Sequence, residues 1–215
     1  MRTLLSMLLS TTLLAAACAS APPAGQVTRL EDGIEFDAVI TAADFAGGDM
    51  AGYHLIVWEG GRSADQALLR ARVSDLQVID ALEELGAEPG NALRIDSWDE
   101  RYEEGTEAPD RIIAGPEVRL EIVVPGRDAP LAIDEFLEDP AGRGFDMRFG
   151  GHRDNIPQWH SGCVVCLYSC PGSKVGNAAY TVRDFVLGTT HFAVREGVLP
   201  PDGTEVRVRI RLEPA

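Results

Sequence analysis

Apolar and polar residues alternate along much of this chain. Ile34–Ile40 (IEFDAVI), Val118–Val124 (VRLEIVV) and Val206–Leu212 (VRVRIRL) put an apolar residue at nearly every second position. That is the period of a strand with one face buried and one face wet. Phe145–Gly151 (FDMRFGG) alternates more weakly. Tyr53–Glu59 (YHLIVWE) and Ala67–Val73 (ALLRARV) are rich in aromatic and aliphatic residues, and Gly60-Gly61 lies between them. Two such runs around a glycine turn predict a hairpin.

The helical period shows clearly once. Val78, Ile79, Leu82 and Leu85 make an apolar stripe. Ser74 and Gln77 stand at capping-box spacing before it, and Val73 and Val78 are placed for a hydrophobic staple. Gly86 suits a left-handed stop, so a helix is predicted over about residues 75–85. Leu131–Leu137 (LAIDEFL) predicts a second, shorter helix closed by Pro140. Asp96–Asp110 between them is acidic and is predicted to be exposed. There is no internal repeat and no dividing linker. The pattern predicts a single α+β domain, mostly β, with one well-signalled helix and a second short one.

Composition is that of a globular protein, 45% hydrophobic and 25% charged. The formal charge of −15 excludes nucleic acid as an expected partner, since a phosphate backbone needs a basic face. The N-terminus changes the picture more. Arg2 precedes an apolar run, Leu4–Leu14, that is too short for a stable membrane span. LLAAAC follows and ends at Cys18. This resembles a bacterial lipoprotein signal, in which the cysteine is lipidated and becomes the first mature residue. Residues 1–17 are then the signal peptide, 18–29 a lipidated tether and 30–215 the domain. The expected location is the cell envelope, anchored to the membrane by lipid and facing the periplasm. Ala19 after the cysteine favours the outer membrane.

The chemistry gathers in HSGCVVCLYSCPGSK, His160–Lys174. The spacing Cys163-x2-Cys166-x3-Cys170-Pro171 reproduces part of a bacterial ferredoxin run. His160 falls where that run has its first ligand, giving H-x2-C-x2-C-x3-C-P. One histidine and three cysteines from a single loop suit a soft metal ion, zinc or copper(I), or an iron–sulfur cluster. Two other readings stand beside it. Cys163 or Cys166 could pair with Cys170 in a disulfide, leaving one thiol over. Or the thiols could exchange disulfides, with Lys174 lowering a thiol pKa. His54 and His191 read as core or edge residues, and His152 as an exposed one. No Ser-His-Asp order and no phosphate loop assigns a catalytic residue, so an enzyme is not expected.

Three segments, ALEELGAEPG (Ala81–Gly90), GCVVCLYSCPGSKVGNAAYTVRDF (Gly162–Phe185) and PPDGTEVRVRIRL (Pro200–Leu212), together resemble the YdjY-like domain family. The likeness covers roughly residues 30–213. It implies a helix ending in an LGA-x-PG turn, followed by strands and a closing PP-x-GT-x-V strand. The family has no established activity. Some members bear a ferredoxin-like 4Fe–4S label, which Cys163, Cys166, Cys170 and Pro171 would explain. This chain departs by having His160 where a fourth cysteine would stand. It also has Asp65 and Gln66 where other members often have a His-Glu pair. The expected role is electron transfer or metal handling in the envelope. The alternative is a non-catalytic binding or structural module whose cysteines form a disulfide.

Overall fold

A computed structural model describes residues 25–214. The predicted signal peptide and Cys18, the predicted lipidation site, lie outside those residues. Most predicted strands form close to where the alternation placed them. They are β1 (Gly33–Ile40), β2 (His54–Trp58), β3 (Ala67–Ala71), β4 (Val118–Val123), β5 (Met147–Phe149) and β8 (Glu205–Leu212). Two short strands, β6 (Cys163–Cys166) and β7 (Val175–Asn177), were not foreseen as strands. The order across the sheet is β4-β8-β1-β3-β2-β6-β7-β5, with Leu131–Ala132 on the outer edge of β4. An isolated bridge between Glu117 and Arg148 brings β5 back toward the start of β4, so the sheet curls into a half-barrel.

The alternation does what the period requires. In β8, Val206, Val208 and Ile210 face the core at 3% exposure or less, while Arg207 and Arg209 turn outward. Both arginines donate to Glu35 on β1, at 2.7 and 2.6 Å. Helix α1 (Asp75–Glu84) carries the full capping box. Gln77 N–H donates to Ser74 Oγ at 3.2 Å, and Ser74 N–H donates to Gln77 Oε1 at 2.9 Å. Val78, Ile79 and Leu82 are completely buried beneath it. Gly86 ends the helix at φ +88. A Ser74→Ala variant is expected to lose about 1 kcal/mol of stability, measured by urea unfolding. No loss would show that tertiary packing alone holds the helix start.

Four expectations are corrected. β2 and β3 pair in parallel, not as a hairpin, with His54 opposite Ala67 and Trp58 opposite Ala71. The loop between them is drawn aside: the N–H groups of Arg62 and Ser63 donate to the carbonyls of His160 and Ser161 at 3.1 and 3.2 Å. The chain then returns to start β3 beside the beginning of β2. The second helix shrinks to one turn, Ile133–Phe136, between the two-residue strands Leu131–Ala132 and Leu137–Glu138. The acidic stretch 96–110 is only partly exposed, because Ser97, Ala108 and Pro109 are buried and Trp98 packs on Tyr53. Finally, residues 25–29 are built into the domain and are not tether. Gly25 N–H donates to the Arg72 carbonyl, and Thr28–Arg29 pairs with β1.

Away from the cysteines, Asp139 anchors the loop that leads to β5. It accepts from Tyr180 Oη at 2.6 Å, Thr190 Oγ1 at 2.9 Å and Gly144 N–H at 2.8 Å. Burial alone would raise its carboxyl, but the Tyr180, Gly144 and Thr190 donors outweigh that and hold it below the usual range. A depressed carboxyl pKa contributes stability above the unfolded value, and that contribution is lost as pH falls through the folded one. Tyr180→Phe is expected to cost about 1–2 kcal/mol at neutral pH, reduced by partial solvation, and to flatten the acid limb of the stability curve. Unfolding curves from pH 2 to 7 check it, and an unchanged acid limb would contradict it.

Candidate metal centre

The two nearer cysteines sit three apart on β6. On a regular strand, residues three apart point to opposite faces. Here the pairing with β2 is irregular: Val57 faces Cys163, Ile56 faces Val165 and His54 faces Cys166. Val164 is therefore an extra residue between the two cysteines. A bulge of this kind restores the phase and returns both sulfurs to one face. His54 lies directly across from Cys166 and adds an imidazole to that face. Gly162, at φ +70, turns the chain into β6, and a Cβ on it would meet the Gly61 Cα at 2.6 Å. Only glycine fits at this crossing of the two backbones.

The result is a compact donor set. One ligand atom each from His54, Cys163 and Cys166 lie within 4.8 Å of one another. His54 Nδ1 is 3.7 Å from Cys166 Sγ. Both cysteines are fully buried and the histidine is 6% exposed. Cys170 lies at the margin. It is 4% exposed and its sulfur accepts from Gly172 N–H at 3.4 Å. All three cysteines are free thiols.

Within this donor set the surroundings lower the thiol of Cys163 and raise that of Cys166. Burial pushes the Cys163 thiol up, but hydrogen bonds from Cys166 and His54 and the charges of His54 and Lys174 outweigh it, lowering the thiol to about 6. Burial pulls the His54 imidazole down, and the Cys163 sulfur overcomes that and raises it. Burial and both neighbouring sulfurs push Cys166 well up. So the set holds one proton-poor sulfur, one proton-rich sulfur and an imidazole that readily takes charge. Lys174 adds the smallest of these contributions from deep in the core. Its Nζ donates to the Gly172 carbonyl at 2.8 Å and pairs with Asp75 at 3.1 Å, both side chains being nearly inaccessible.

The structure exchanges the histidine that the spacing suggested. His160 is exposed and ends the short turn Ile156–Trp159 at φ +47. It lines a different cavity, with Trp58 and Asp75, and is not among the groups gathered at the sulfurs. A ligand loop was expected, but Cys163–Cys166 is a strand buried on both faces, as its four apolar or weakly polar residues allow. His152 serves structure, its Nε2 lying 2.8 Å from the Gly90 carbonyl. His54 was read as a core or edge residue. The available signal was its place in YHLIVWE, where an imidazole interrupts a run otherwise suited to full burial.

What this arrangement can do follows from the donors. Two sulfurs and an imidazole, with no carboxylate among them, prefer soft or borderline ions. Two ligands each about 2.3 Å from one ion are at most about 4.6 Å apart. The three donor atoms, all within 4.8 Å of one another with His54 Nδ1 and Cys166 Sγ at 3.7 Å, are close enough to share a single ion.

A family model described as the YdjY domain matches residues 27–211. Among curated proteins, the uncharacterized protein YdjY of Escherichia coli (strain K12) is 28% identical over 160 residues, covering 74% of this chain and 67% of that protein. No solved structure gives a significant match.

Proposed function

We propose, from the premise that this chain belongs to the YdjY domain family, that it binds one copper(I) ion through Cys163, Cys166 and His54 and handles that metal in the cell envelope. The observation that carries this is the buried convergence of two thiols and an imidazole on one face of the β2–β6 pair. Copper(I) is favoured over zinc because two soft sulfurs and an imidazole gather closely while Cys170 stands outside that group. Structural zinc asks for four. A cluster is disfavoured because the donors are spaced for one ion.

The N-terminal segment supports the compartment. It has the pattern of a lipoprotein signal, with Cys18 as the lipidated residue, so the domain would sit on the membrane surface facing the periplasm. Bound there, the ion would supply no chemistry beyond its own transfer. The chain's part is to strip water from it, fix its donors and keep it reduced by burial.

Anaerobic titration of the purified full chain with copper(I), against a competing chelator, tests the proposal. One equivalent is expected to bind, with loss of two reactive thiols. A brown protein that carries iron and sulfide as isolated, or a chain that binds no copper(I), would refute it. Because metal binding displaces thiol protons, affinity should fall as pH drops from 8 to 5. A flat profile would point to donors other than sulfur.

A further inference from the structure

A cavity of about 200 Å³ opens beside the donor set and reaches the surface at the exposed Arg62. Its walls include Met50, Trp98 and Trp159, and its floor includes Tyr53, His54 and Cys170. Cys163 and Cys166 do not line it and have no exposed surface. A solute in this chamber therefore meets Cys170 and His54 before either deeper sulfur. The Tyr53 hydroxyl is fully buried and has no hydrogen-bond partner among the described residues. A buried, unpaired hydroxyl costs free energy unless something occupies the space before it. Thioether and aromatic faces suit a soft cation. Arg62 makes no ion pair among the described residues, in a chain of net charge −15. It is the natural contact for an anionic carrier.

We propose that this chamber admits a small anionic thiolate complex of copper(I), and that Cys170 is the exchange ligand that takes the ion from it and passes it to Cys163, Cys166 and His54. The inference rests on the copper(I) reading above and adds the carrier and the route. The carrier holds the ion between two thiolates: one copper–sulfur bond breaks as the bond to Cys170 forms, and the second breaks as the bond to Cys163 forms. The bonds to Cys166 and His54 then form as the bond to Cys170 breaks. The protons of the receiving thiols leave on the released carrier thiols or in water. The metal stays cuprous throughout, so no oxidant or reductant takes part. Tyr53 is a positioning residue, able to donate its free O–H to the Cys170 sulfur while that sulfur holds the ion.

The experiment follows loading by stopped flow, with copper(I) supplied as its complex with free cysteine, and measures equilibrium affinity separately. Cys170→Ser should load roughly 10- to 100-fold more slowly while its affinity stays close to that of the unsubstituted chain. Arg62→Glu changes an exposed side chain at the chamber mouth, and it should slow loading roughly tenfold or more while affinity stays close to that of the unsubstituted chain. In the metal-free chain, Cys170 should be the first of the three domain cysteines to react with iodoacetamide. Equal loading rates for Cys170→Ser and the unsubstituted chain would overturn the route. So would first alkylation at Cys163 or Cys166. A loss of affinity in Cys170→Ser as large as that in Cys163→Ser would make Cys170 a resident ligand and overturn its exchange role. Each of these leaves the site itself standing. Failure of the unsubstituted chain to bind copper(I) at all would remove the underlying reading instead.

Discussion

A Lys174→Met variant is expected to lose about 3–5 kcal/mol of stability, among the largest effects of any single change in this domain. The chain's sole lysine is 1% exposed, and Asp75, its partner at 3.1 Å, is almost as deeply buried. Taking a charge out of water is costly, and the pair is tolerable only because each ion compensates the other. Methionine keeps most of the volume and removes the charge. It would leave the Asp75 carboxylate buried, with the first turn of α1 as its main remaining support; there its Oδ1 accepts from Leu76 N–H at 3.0 Å. The Gly172 carbonyl would also lose its donor. Urea unfolding measures the loss. Adding Asp75→Leu to Lys174→Met should recover most of it, because the orphaned charge is then gone. A single variant within about 1 kcal/mol of the unsubstituted chain would show that Asp75 is neutral or hydrated. The same change should raise the Cys163 thiol, since Lys174 is one of the charges that lower it.

A Cys163→Ser variant is expected to stay folded and to lose copper(I). Serine offers a hard oxygen that is still protonated at neutral pH, in place of a soft sulfur whose thiol is lowered by hydrogen bonds from Cys166 and His54 and by the charges of His54 and Lys174. Changes in residues around metal ligands already cost roughly 10- to 100-fold in affinity, and removal of a ligand should exceed that. Burying a hydroxyl where a thiol stood costs about 1–3 kcal/mol unless it finds an acceptor. Circular dichroism and an unfolding curve should accompany the titration for that reason. Cys163→Ala separates the two effects, since it removes the ligand without adding a polar group. Copper(I) affinity retained in both variants would mean that Cys166, Cys170 and His54 bind the ion without Cys163.

The strands were legible because a half-buried strand must alternate, and VRVRIRL cannot bury valine and isoleucine without exposing arginine. The helix was legible because Ser74, Gln77 and Gly86 each answer a local demand of a helix end. The parallel pairing of β2 and β3 was not, because it depends on where the Arg62 and Ser63 amides find acceptors 98 residues further along the chain. The cysteines stood out by spacing. Their partner did not, since His54 and Cys166 are 112 residues apart and only strand order brings them together. Spacing favoured His160 because it assumed a loop. The bulge at Val164 does the work that a loop would have done, and no local sequence signal marks it. Cys170, which the spacing placed among the ligands or as a disulfide partner, lies instead at the chamber floor.

X-ray absorption at the copper edge, on the full chain loaded anaerobically with one equivalent of copper(I), tests the central claim most directly. The account expects three-coordinate copper(I) with two sulfur neighbours and one imidazole nitrogen, and loss of the imidazole signature in His54→Ala but not in His160→Ala. A signal unchanged in His54→Ala and lost in His160→Ala, or one built only from nitrogen and oxygen, would contradict it.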